Sequence, residues 1–163
     1  MRVFVALGSN LGDRWRHLRD AVDSLPGVVA TSPVYETAPE GGPGGQDDYL
    51  NCVVQLELAD SFTARQLLGI CHRLESAANR VRGGVRWGPR TLDVDVVVAD
   101  GAPPDGIVLP HPRAHERAFV LAPWQAIDPE AEIPGRGAVR DLLADLDTSS
   151  VTALADVELQ LPE

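Results

Sequence analysis

Lysine is absent from the 163-residue sequence; all 14 basic residues are arginine. That absence removes the Walker A phosphate loop, the strand lysine of protein kinases and any Schiff base to pyridoxal phosphate or a carbonyl substrate. Handling of a nucleotide would need another route. Cysteine is scarce as well. Cys52 and Cys71 stand apart from other ligand-type residues at metal spacing, so both are expected as reduced core residues in a cytoplasmic setting, not as a disulfide. Although 44% of the residues are hydrophobic, no run approaches the about 18 to 20 apolar residues that span a bilayer. The apolar opening Val3 to Leu7 breaks at Gly8-Ser9-Asn10, too early for a secretory core of about 7 to 15 residues, and reads as a first strand. Positive charge is in deficit too: 14 arginines face 24 acidic residues, for a net charge of −10. Nucleic acid and anionic membrane are therefore poor partners, since both need a favourable positive field before specific contacts form. Any anionic ligand must be met by a local basic patch.

What is present fits one domain over residues 1–163, long enough to bury roughly 70% of the surface its unfolded form exposes. After the first strand, Gly8 to Asp13 reads as a turn. Trp15, Leu18, Ala21, Val22 and Leu25 recur at helical spacing until Pro26-Gly27 ends the helix. Val28 to Thr37 reads as a second strand, with Pro33 marking an edge or bulge. Ala38 to Asp48 holds four glycines and two prolines, a loop composition that suits an active-site flap or a plain hairpin connection equally well. From Tyr49 to Leu58 the chain alternates: Leu50, Cys52, Val54, Leu56 and Leu58 share one face, and Asn51 points from the other. Ser61 or Thr63 can cap a helix carrying Leu67, Leu68, Cys71, Leu74, Ala77 and Ala78. Thr91 to Ala99 reads as the next strand. The order β-α-β-β-α-β is the split pattern of ferredoxin-like α/β (α+β) folds, with an antiparallel sheet and helices packed on it. The last third is less regular: Gly101 to Gly106 as a turn, Ile107 to Leu109 as a short strand, Arg113 to Ile127 as mostly helix, and Gly137 to Leu146 as a further helix.

Chemistry concentrates between Arg80 and Asp95. Arg80, Arg82, Arg86 and Arg90 fall within eleven residues that hold no acidic residue, a local reversal in an acidic chain. Guanidinium groups grip phosphate oxygens bidentately, so a glycine-containing loop of them could close over a polyphosphate; arginine runs are also common on solvated loops. In the strand that follows, Leu92, Val94, Val96 and Val98 share one face, which sets Asp93 and Asp95 together on the other, with Cα atoms about 6.8 Å apart. Two neighbouring carboxylates need their repulsion offset, either by arginine or by divalent cations, and magnesium binds through one or two carboxylates plus phosphate oxygens and water. Spacing alone leaves open a pair of exposed aspartates bridged to Arg90.

The run Arg86-Trp87-Gly88-Pro89-Arg90-Thr91-Leu92-Asp93-Val94-Asp95-Val96-Val97 resembles throughout the signature of the 6-hydroxymethyl-7,8-dihydropterin pyrophosphokinase family. The resemblance extends to Ala6 to Gly12, Tyr35-Glu36-Thr37, Asp48 to Asn51, Leu74-Glu75, Arg80 to Arg82, Leu109 to Pro112 and Arg117 to Pro123, covering about Arg2 to Leu146. It implies a ferredoxin-like core with added C-terminal helices, in which ATP and a reduced pterin lie side by side. Two Mg2+ ions would be held by Asp93 and Asp95, and the pterin hydroxymethyl oxygen would attack the β-phosphorus, releasing AMP. By the same resemblance Thr37, Tyr49, Asn51, Trp87 and Phe119 bind the pterin. Arg80 and Arg90 act in transfer, and Arg82, His72, Glu75, His111 and Arg117 bind ATP. A monomer acting on small molecules, with neither nucleic acid nor membrane as partner, is expected. The sequence departs from the family pattern in the glycine-rich loop Ala38 to Asp48, at His72, where glutamine is frequent, and at Pro112, where an aromatic is frequent.

Two other readings compete. A sugar-nucleotide transferase also uses Asp-x-Asp at a strand end, but has no place for Trp87 and Arg90. A non-catalytic ferredoxin-like RNA-binding module would want aromatics on its central strands, which offer only Tyr49, and a more positive chain.

Overall fold

The computed structural model describes residues 1–39, 44–78, 91–101 and 106–154. Its first strand, β1 (Arg2–Ser9), extends two residues beyond the expected Leu7, so that Gly8 and Ser9 belong to the strand rather than to the turn. Helix α1 (Arg14–Ser24) starts where the side chain of Asp13 accepts the Arg16 backbone N–H, and buries Leu18, Ala21 and Val22. It ends at Leu25, and the chain reverses through Gly27. The φ there is +66°, and a Cβ would lie 2.3 Å from the Glu57 carbonyl oxygen, so glycine is required on both counts.

The second strand divides at Pro33, as its lack of an N–H demands. β2 (Val28–Thr31) and β3 (Tyr35–Thr37) both pair antiparallel with β4 (Tyr49–Glu57). Across the break Ser32 keeps the join: its backbone N–H donates to the Val53 carbonyl and its hydroxyl accepts the Val53 N–H, both at 2.9 Å. Helix α2 (Ala64–Ala77) opens with a capping box, Thr63 accepting from the Gln66 N–H while the Gln66 side chain accepts from the Thr63 N–H. β5 (Asp93–Ala99) then returns to the far side of β1. The sheet order β5-β1-β4-β2/β3, antiparallel throughout, is that of a ferredoxin-like core.

Both faces of this sheet are covered. Val3, Val5 and Leu7 of β1, Leu50, Cys52, Val54 and Leu56 of β4, and Val94 and Val96 of β5 pack with α1 and α2. On the opposite face Phe4, Val53 and Val97 pack with the C-terminal third, chiefly α3 (Ala118–Ile127). A bulge in β5 sets the division: Val5 faces Val96 and Phe4 faces Val98, which leaves Val97 as the extra residue. Val98 therefore joins Val97 and Phe4 on the α3 face, not Leu92, Val94 and Val96 as simple alternation predicts.

The C-terminal third departs furthest from expectation. Ile107 to Leu109 forms no strand, and Val108 is 69% exposed. The turn expected over Gly101 to Gly106 lies partly outside the described residues. The helix expected over Arg113 to Ile127 is interrupted at Arg117, whose extended backbone (φ −112°, ψ 99°) separates a 3-10 turn (Ala114–Glu116) from α3. Gly137 and Ala138 form β7, paired with β6 (Glu132–Ile133), so the last helix, α4 (Val139–Ala144), is shorter than expected. A strand not expected, β8 (Val151–Ala153), pairs with the outer side of β3. Among the described residues no helix is long and apolar enough to cross a membrane.

Cys52 and Cys71 are free and buried. Burial pushes the Cys52 thiol up to about 12; burial and then the charge of Asp95 push Cys71 to about 12. Because the thiolate is the reactive species, neither should react with Ellman's reagent at pH 8 in the folded protein, and both should react in urea. Prompt reaction of one equivalent under native conditions would show that a cysteine is not packed as described.

Candidate active site

The side chains that point from the sheet toward the C-terminal third form two rungs across three strands. Asn51 on β4, Gly8 on β1 and Asp93 on β5 lie opposite one another, and Val53, Ala6 and Asp95 make the next rung. Two carboxylates and one amide thus project from the same face, separated by the two smallest side chains of β1. The strands are about 4.8 Å apart, which puts Asn51 and Asp93 about 10 Å from each other across Gly8.

Over this floor opens a cleft enclosing about 820 Å³ of empty space, part of it open to solvent. Thr37, Tyr49 and Asn51 form one side, and Asp93 and Asp95 the other. His111, Arg117 and Phe119 approach from the C-terminal third. The interruption of the helix at Arg117 is what allows this, since the 3-10 turn and α3 bring their ends to the cleft instead of running past it. The Arg117 guanidinium carbon stands 5.5 Å from the centre of the Phe119 ring, close enough for a cation–π contact.

Local bonds fix several of these groups. The Asn51 amide nitrogen donates to the Thr37 hydroxyl; both residues are buried. The end of the glycine-rich loop is tied to the turn after β1: Asn10 Nδ2 donates to Gln46 Oε1 at 3.2 Å and to the Asp47 carbonyl at 3.1 Å, and Arg14 donates to the Asp48 carbonyl at 2.8 Å. His111 is anchored through its backbone N–H to the Val97 carbonyl at 2.7 Å. Its Nδ1 accepts the Arg113 N–H at 3.2 Å, which leaves the Nε2 proton to be donated elsewhere. Burial lowers the His111 pKa from its ordinary value; Asp95 opposes that shift, and Arg117 and Arg113 add to it.

Eight of the residues expected from sequence are thus brought to one cleft: Thr37, Tyr49, Asn51, Asp93, Asp95, His111, Arg117 and Phe119. His72 and Glu75, on α2, are not among its walls. His72 is exposed, whereas Glu75 is buried beneath β5, where its carboxylate accepts the Val94 N–H at 3.4 Å. Arg80, Arg82, Trp87 and Arg90 lie outside the described residues. Sequence reading missed Ala6, Gly8 and Val97 as cleft residues. The period-2 alternation of β1 could have found the first two, because Ala6 and Gly8 oppose Val5 and Leu7.

Asp93 and Asp95 offer an oxygen-only donor set, and among the described residues no group of three or more His, Cys, Asp or Glu is placed to hold a metal. Two carboxylates beside a polyphosphate suit magnesium, which draws the rest of its shell from phosphate oxygens and water. They do not form the closed nitrogen and sulfur cage of a structural zinc.

The sequence pattern of the family 7,8-dihydro-6-hydroxymethylpterin-pyrophosphokinase (HPPK) matches residues 4–129, a span containing all of these cleft residues. The chain belongs to this family. Proteins named 2-amino-4-hydroxy-6-hydroxymethyldihydropteridine pyrophosphokinase resemble it at HPPK-wide length. That of Mycobacterium tuberculosis (strain ATCC 25618 / H37Rv) is 44% identical, over 90% of this chain and 84% of its own. Those of Methylorubrum extorquens and Bacillus subtilis are 43% and 38% identical, covering 92% and 85% of this chain and 96% and 84% of their own. Among solved structures, HPPK-DHPS in complex with substrates superimposes with a TM-score of 0.61 at 12% identity, over 88% of this chain. This chain spans 43% of that longer one, and at such low identity the likeness speaks for the HPPK fold alone.

Proposed function

We propose that this cleft transfers the diphosphate group of ATP to the hydroxymethyl oxygen of 6-hydroxymethyl-7,8-dihydropterin, releasing AMP, as a step of folate biosynthesis, with magnesium held by Asp93 and Asp95. The single observation that carries this reading is the rung Asn51–Gly8–Asp93. It sets a buried, oriented amide about 10 Å from a carboxylate pair, roughly the length of a bicyclic ring with a one-carbon arm.

On the amide side, Asn51 and the backbone beside Thr37 hydrogen-bond the donor and acceptor edge of the pterin, while Phe119 stacks on the ring with Tyr49 close by. On the carboxylate side the hydroxymethyl oxygen meets the polyphosphate. Its bond to the β-phosphorus forms as the bond from that phosphorus to the α,β-bridging oxygen breaks; the hydroxyl proton is released and AMP departs. Magnesium bound at Asp93 and Asp95 would supply charge neutralisation and orientation of the phosphates. His111, with Nε2 as donor, and Arg117, with its fixed fork of donors, hold phosphate oxygens. Arg82 adds to that grip, Arg80 and Arg90 stabilise the transferring group, and Trp87 closes over the ring. His72, exposed on α2, would meet the nucleotide beyond the cleft walls, and Glu75 would act from beneath β5 by holding the Val94 N–H next to the carboxylate pair. Phosphoryl transfer needs positioning and charge stabilisation more than covalent help, and a cleft that brings a carboxylate pair, His111 and Arg117 together supplies both. The enzyme acts as a cytoplasmic monomer on these two small molecules.

Product analysis tests the reading. Purified protein mixed with ATP, the pterin and magnesium should yield AMP and pterin diphosphate in equal amounts, and chelation with EDTA should stop the reaction. Formation of ADP, or turnover indifferent to EDTA, would refute the assignment.

A further inference from the structure

We infer that the missing side chain at Gly8 determines pterin recognition, by leaving room for the Asn51 amide to lie across the centre strand. The inference rests on the proposed role of Asn51 as reader of the ring edge. Gly8 is not needed for its backbone, because it lies in β1 paired on both sides and is not among the positive-φ glycines. Space is what it provides. A Cβ at this position would lie 2.7 Å from Asn51 Oδ1, 3.8 Å from Asn51 Cγ and 3.4 Å from Tyr49 Cδ1.

The amide has little freedom to retreat. One N–H of the amide donates to the Thr37 hydroxyl, which leaves the second N–H for a ligand and turns the oxygen toward Gly8, and Asn51 and Thr37 are only 6% and 2% exposed. One methyl group at residue 8 would force the amide to rotate, breaking the bond to Thr37 and misdirecting the donor and acceptor offered to the ring. Alanine is otherwise the better strand residue, since glycine loses more conformational freedom on folding. The substitution should therefore separate recognition from stability.

The test is a double-mutant cycle on Gly8→Ala and Asn51→Ala. Binding of 6-hydroxymethyl-7,8-dihydropterin is measured with α,β-methylene ATP present, alongside analogue affinity and thermal melting. Gly8→Ala should weaken pterin binding about tenfold, the scale of one lost hydrogen bond, with analogue affinity within about twofold of wild type and a melting temperature close to wild type, because the better strand residue offsets the lost Asn51–Thr37 bond. In the Asn51→Ala background the same change should add less than about twofold, because its target is gone. Wild-type pterin binding by Gly8→Ala, a full tenfold effect persisting without Asn51, or failure of Gly8→Ala to fold would each overturn the inference. Normal pterin binding by Asn51→Ala alone would instead overturn the reading of Asn51, and this inference with it.

Discussion

Asp95→Ala should lower turnover on the order of 10³-fold while leaving the fold intact. The side chain is half-buried at the cleft, opposite Ala6, and lies outside both apolar clusters, so its removal opens no cavity in the core. What it removes is half of the carboxylate pair that would organise the phosphates, an interaction on the scale of several kcal/mol at the transition state, where each 1.36 kcal/mol is about tenfold in rate. Steady-state kinetics across a magnesium titration, with circular dichroism and melting as controls, would measure it. A variant within about tenfold of wild-type turnover would remove Asp95 from the mechanism and leave the carboxylate pair without the role assigned to it.

The second large effect concerns stability. Trp124 is 1% exposed, and its ring packs on Phe4 of β1 with centroids 5.3 Å apart at 42°, which makes it the largest fully buried side chain of the molecule as described. Trp124→Ala should cost about 3 to 5 kcal/mol, out of a total stability typically about 5 to 15 kcal/mol. Trp124→Phe should cost much less. The indole nitrogen is buried with no hydrogen-bond partner among the described residues, so phenylalanine gives up volume but also an unsatisfied donor. Urea unfolding of the two variants decides it: a loss below about 1 kcal/mol for Trp124→Ala would mean that α3 does not hold the second face of the sheet.

The first two-thirds of the fold was legible because its elements are long enough to show a period. Leu50, Cys52, Val54 and Leu56 announced β4, and Leu67, Cys71 and Leu74 announced α2. Two features defeated that reasoning. The bulge at Val97 adds one residue to β5 and so reverses the face of Val98, which nothing in the run Val94 to Val98 reveals. The strands β6, β7 and β8 have two or three residues each, too few to display alternation.

The candidate site divided in the same way. Asp93, Asp95 and Asn51 stand out because charge or amide on an apolar strand is conspicuous, and the family resemblance added Phe119, His111 and Arg117 from the poorly patterned third. From sequence Gly8 reads as a turn, because Gly-Ser-Asn is turn chemistry. Only the pairing of Gly8 with both Asn51 and Asp93 shows that it lies in a strand, between two functional groups.

β8 has an effect beyond completing the sheet. Without it, β3, which carries Thr37, would be the margin of the sheet, and its unpaired N–H and C=O groups would invite another chain to add a strand there. Residues Val151 to Ala153 take those bonds, with Ala38 and Leu154 extending the seam to Ser150 and Val34. The margin thus passes to a three-residue strand, short enough to offer a poor template. Protection of that edge against strand addition is therefore tied to a segment well removed in sequence from the residues it covers.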